Sequence, residues 1–81
     1  MTTIAPNTDV RLRRYRLTPV SDRLSRVVDP EGRVVGHVAR IGDDLATRYR
    51  ARRFHPAAGG FVELGDFWRM EDAVAVLHDS R

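Results

Sequence analysis

The chain has 81 residues, enough for one small domain with a thin core. It contains no cysteine, which excludes disulfides and thiolate metal sites, and no apolar run of membrane-spanning length. The formal net charge is +3 and every Lys-or-Arg position is arginine; with 42% hydrophobic and 31% charged residues, the composition is that of a folded protein, not a disordered tail.

Residues 1–9, Met1 to Asp9, are small and polar and read as a flexible leader. Residues 10–81 read as a single α+β domain. Arg11 to Thr18 has the look of a strand, with Pro19 to Asp22 as a turn and Arg23 to Asp29 as a second strand. Asp29-Pro30-Glu31-Gly32 has the preferred composition of a type I turn, with Asp first, Pro second and Gly fourth. Val34 to Ile41 is a third strand with an interior Gly36, and Gly42-Asp43-Asp44 is the next turn.

Ala46 to Phe54 alternates strictly in its middle. Arg48, Arg50 and Arg52 fall on one side, Tyr49 and Ala51 on the other. His55 to Gly60 is a loop, and Phe61 to Phe67 a fifth strand with Val62 and Leu64 on one face. Met70, Ala73, Val74 and Leu77 recur at i, i+3, i+4 and i+7, one face of a helix, with Glu71 and Asp72 in its first turn where the dipole favours acids. So short a helix needs a sheet to lie on. The expected fold is an antiparallel β-meander of three to five strands with one C-terminal helix packed on one face. Whether residues 10–35 extend the same sheet stays open.

Charge is uneven along this layout. Residues 1–33 hold seven arginines against four acids, residues 34–60 five against two, and residues 61–81 two against five. A concentrated basic patch attracts phosphate better than the net charge suggests. The arginine bias also fits a GC-rich coding sequence with no bearing on function. The N-terminus has no signal-peptide hydrophobic region, so the cytoplasm is the expected compartment.

The chain offers little for catalysis. His37, His55 and His78 are far apart and lack the spacing of a zinc site. Ser21, Ser25 and Ser80 have no nucleophile-elbow context, and Gly59-Gly60 precedes a strand where a phosphate loop would precede a helix. No enzyme activity, metal or cofactor is expected.

The arginine row is the most suggestive feature. Alternation projects Arg48, Arg50 and Arg52 from one face at steps of roughly 7 Å, close to the phosphate spacing along one DNA strand. A sheet or ribbon can enter the major groove, where arginine grips guanine. The alternative is a solvated outer face, which antiparallel sheets usually have. Arg11, Arg13, Arg14 and Arg16, with Tyr15 among them, form a second basic cluster, either an arm on phosphate or an edge strand protected by charge. Trp68 reads as core packing or closure over the helix end more than as a contact residue.

From Gly36 onward the order of pieces is Tyr49-Arg50-Ala51, Gly59-Gly60, Leu64-Gly65-Asp66-Phe67, and Glu71-Asp72-Ala73 with Leu77. This resembles the three-strands-plus-helix DNA-binding domain of plant ethylene-response factors, and is similar to the arm-site-binding domain of tyrosine-recombinase integrases. It spans residues 36–78, about half the chain. The resemblance implies a sheet laid in the major groove of double-stranded DNA, with Arg50 and Arg52 facing the groove, Arg48 just before them, and Phe61 and Glu63 facing it from the last strand. It implies a core of Tyr49, Ala51, Leu64, Phe67 and Ala73. The chain departs from the pattern in the last strand, where an arginine and an aromatic are expected and Glu63 is acidic, at Arg40, the only arginine of its strand, and at Arg69, where a helix-capping Thr is usual. Arg14, Arg16, Arg40, Arg48, Arg50 and Arg52 are thus the candidate DNA-binding residues, in a role such as a phage or mobile-element accessory factor. The alternative is a small protein-interaction module, an inhibitor or assembly factor, or a homodimer formed by edge pairing. It needs no nucleic acid.

Overall fold

A computed structural model of the protein describes residues 14–80. The leader expected over residues 1–9, and Arg11 and Arg13, lie outside them. Five strands follow in chain order: β1 (Arg16–Ser21), β2 (Leu24–Val28), β3 (Val34–Ile41), β4 (Arg48–His55) and β5 (Gly60–Phe67), then α1 (Met70–Asp79). They form one antiparallel sheet in the order β1-β2-β3-β4-β5, a plain meander. The N-terminal hairpin therefore extends the same sheet.

The first strand lies further along the chain than composition indicates. Pro19, Val20 and Ser21 belong to β1, and the reversal occurs at Asp22-Arg23. Pro19 is tolerated because β1 is an edge strand with no neighbour on its outer side among the described residues. The Asp29 turn forms as its residues dictate. Gly32 N–H donates to Asp29 O at 2.9 Å, with Gly32 at φ 85°. Asp29 is 4% exposed, and its carboxylate accepts from the backbone N–H of Glu31 and Arg33 at 2.9 and 2.8 Å. In the next turn Asp43 Oδ1 does the same for Leu45 and Ala46, so Asp43 holds that turn.

The helix lies across β3, β4 and β5. Val27, Val38 and Ala51 from the sheet meet Ala73, Val74 and Leu77 from α1, with Tyr15 closing one end. Tyr49, Leu64, Phe67 and Met70 pack around this cluster. Gly36 is what lets the layers approach. A Cβ at that position would collide with the Arg52 carbonyl and lie 2.8 Å from Leu77 Cδ2. Leu77, with no exposed surface, fills that space.

Tyr15 is thus a core residue, and the basic cluster expected around it divides. Its hydroxyl bonds His78 Nδ1 at 2.8 Å, tying the start of the sheet to the last turn of the helix. Arg14 and Arg16 on either side are exposed. The helix start has no side-chain cap. Arg69 occupies the N-cap and its guanidinium reaches Glu71 at 3.2 Å. That contact and a backbone hydrogen bond hold the Glu71 carboxyl below its ordinary pKa; the backbone bond has the larger effect.

Candidate nucleic-acid interface

Directly opposed residues of neighbouring strands share a face. The pairs Val27↔Gly36 and Val38↔Ala51 define the helix side. The pairs Arg26↔His37, His37↔Arg52, Ala39↔Arg50 and Ile41↔Arg48 define the other, which no element covers among the described residues. Arg48, Arg50 and Arg52 therefore do share one open face, with Tyr49 and Ala51 turned to the helix. Arg16, by alternation from Thr18↔Arg26, stands on the open side at the far edge. Arg40 is not part of this group: it opposes Tyr49 and so belongs to the helix side, although exposed. Arg14 precedes β1 and has no place in the register.

A bulge in β5 decides what faces the arginines. Ala51 opposes Gly65 but Arg52 opposes Glu63, leaving Leu64 as an extra residue. Gly65 takes φ 140°, a conformation open to glycine and strained for other residues. Strict alternation from Val62 and Leu64 would put Asp66 against the helix and Phe67 outside. The bulge exchanges them, so Phe67 packs on the core and Asp66 lands beside Arg50.

Arg50 donates to Asp66 through Nε at 2.8 Å and Nη2 at 3.2 Å, a fork on a carboxylate. The hydrogen bond, then the paired charge, raises the Arg50 pKa, and the same hydrogen bond leads in lowering that of Asp66. Glu63 stands more loosely between two guanidiniums, 3.9 Å from Arg50 Nη1 and 3.8 Å from Arg52 Nη2. Arg52 also keeps a buried Nε without a hydrogen-bond partner. Arg48 lies over the Trp68 ring, 4.5 Å from its centroid. The row is thus graded: Arg50 is committed to an acid, Arg52 partly so, and Arg48 rests on an indole.

Aromatic rings occupy the same face, and of these the sequence singled out Phe61 alone. Phe61 stacks on His37 with centroids 4.5 Å apart and planes at 22°, and Phe54 leans on Phe61 at 5.3 Å. Phe54 and Phe61 remain 42% and 45% exposed. Trp68, expected in or over the core, is 64% exposed. It follows Phe67 out of the strand, and with Phe67 turned inward its own ring goes to the arginine side. The signal for this cluster was the Phe54↔Phe61 pairing next to the Gly59-Gly60 loop, a register that the hairpin closing at His55↔Gly60 sets.

His37 sits between Arg26 and Arg52 in a row that crosses the sheet. Partial burial first, then these two positive neighbours, lowers its pKa. The other histidines have local structural tasks: His55 Nδ1 accepts from Ala58 N–H in the 3-10 turn before β5, and His78 meets Tyr15. Comparison with protein families, curated proteins and solved structures finds no match to this chain.

Proposed function

We propose that this domain is a non-enzymatic DNA-binding module whose contact surface is the open face of the sheet. The observation that carries this reading is the charge of that face: Arg16, Arg26, Arg48, Arg50 and Arg52 against Glu63 and Asp66. At its centre Arg26 and Arg52 flank His37 and add to partial burial, the larger cause, in lowering the His37 pKa. Arg48, Arg52 and Arg26 are the phosphate ligands in this reading. Arg50, held by Asp66, positions and stiffens the row.

The test is a titration with random duplex DNA at low and moderate salt. Binding should weaken steeply with salt, and Arg52→Ala should reduce the salt slope by about one unit, as expected for one phosphate contact. Arg50→Ala should weaken binding less. Undiminished binding by both variants would exclude the arginine row as the contact surface. A protein-interaction module is the second reading, favoured by the acids that offset Arg50 and Arg52 and by the outer sides of β1 and β5, which have no strand neighbour among the described residues. It calls for a defined protein partner or a homodimer and no retention on DNA.

A further inference from the structure

Two features of the open face fit unpaired DNA better than a duplex. The first is width. Five strands at a spacing of about 4.8 Å place the outer strand axes about 19 Å apart. The major groove is about 12 Å wide, so the whole face does not lie flat inside it. The second is the chemistry of the surface. Exposed ring faces gain most from bases whose own faces are free, and base faces are covered in a duplex. Arg50, the arginine at the middle of the row, has its fork closed on Asp66 and is not free to read a base edge.

We infer that the open face of β3, β4 and β5 holds a short stretch of single-stranded DNA, with bases stacked on Phe61 and Phe54 at one end and on Trp68 at the other. The strand's phosphates run past Arg52 and Arg48 between these two platforms. This rests on the DNA reading above and names its substrate class. Phe61 pairs with Phe54, and Trp68 lies under Arg48, six residues earlier on the same strand. That separation is roughly 20 Å at strand rise, room for about three or four nucleotides of extended chain. The charges suit this occupant. Arginines flank the apolar rings, so the anionic backbone has a track beside the stacked, uncharged bases.

The experiment compares a thymidine oligonucleotide of about twelve residues with the duplex of the same length, on the full chain at low salt, by fluorescence anisotropy and by the emission of Trp68, the sole tryptophan. The single strand should bind more tightly than the duplex and quench Trp68. Phe61→Leu and Phe54→Leu keep an apolar side chain but remove the ring; each should weaken single-strand binding about tenfold and leave duplex binding nearly unchanged. Both positions are nearly half exposed, so the variants should melt close to the parent, which circular dichroism checks. Duplex binding as tight as single-strand binding, with both indifferent to Phe61→Leu, would overturn this inference and leave the DNA reading standing. No binding of either DNA would overturn both.

Discussion

The two faces of this sheet are built from alternate residues of the same strands, yet they answer to different physics. On the helix side, small residues let large ones in. Gly36 and Ala51 give Leu77 room, and the cluster closes with almost no surface left. On the open side, rings and guanidiniums stand half exposed and are ordered by one another: Arg50 by Asp66, Phe61 by His37, Arg48 by Trp68. The first face carries the stability of the domain. The second is free to vary in charge and shape, which is where a binding surface can be placed at little cost to the fold.

The sharpest way to break the helix side is Gly36→Ala or Leu77→Ala. The first forces a methyl group into the Arg52 carbonyl, and the second empties the tightest part of the core. Each should cost about 2–5 kcal/mol in a urea titration, much of the total stability of so small a domain. The matched changes on the open face, such as Arg52→Ala, should leave the urea midpoint nearly in place. Equal losses from both sets would show that the two faces do not divide stability and binding between them.

Smaller effects sharpen the contrast at its ends. Tyr15→Phe removes the hydroxyl bonded to His78 and should lower stability by about 1 kcal/mol, seen as an earlier thermal transition. Glu63→Gln should act the other way round, with little change in melting but tighter DNA binding and a steeper salt dependence, because it releases Arg52 from a neighbouring acid. If the same change weakens binding, Glu63 contacts the ligand directly and the charge argument is wrong.

The smallest expected effect is on pH. The folded-state pKa of His37 is depressed, so the unfolded chain binds its proton more readily. Its contribution is present above the ordinary histidine range and declines as pH falls through that range toward the folded value. Asp66 is also depressed, so its contribution persists to lower pH and is lost as pH falls through the acid range. Thermal melts across this range should decline in two shallow steps, the upper one removed by His37→Gln and the lower one reduced by Asp66→Asn, with Glu71, also depressed, carrying part of it.

Much of the helix side is legible in the chain. The i, i+3, i+4, i+7 stripe of α1 names Ala73, Val74 and Leu77, and all three are buried. The alternation of β4 separates Tyr49 and Ala51 from the arginines, and the Asp29-Pro30-Glu31-Gly32 turn forms where its composition puts it. These are local properties: periodicity and turn chemistry act over a few residues, so sequence by itself determined them. It did less well at the first strand, where Pro19 reads as a turn until β1 is known to be an edge. What surrounds the arginines was decided by tertiary structure alone. A bulge at Gly65 shifts β5 by one residue, and because side chains alternate with a period of two, that shift sends Phe67 inward and brings Asp66 to Arg50. Arg40 is separated from Arg48, Arg50 and Arg52 by the β3–β4 register, since its face is set by Tyr49, the residue it opposes across the sheet.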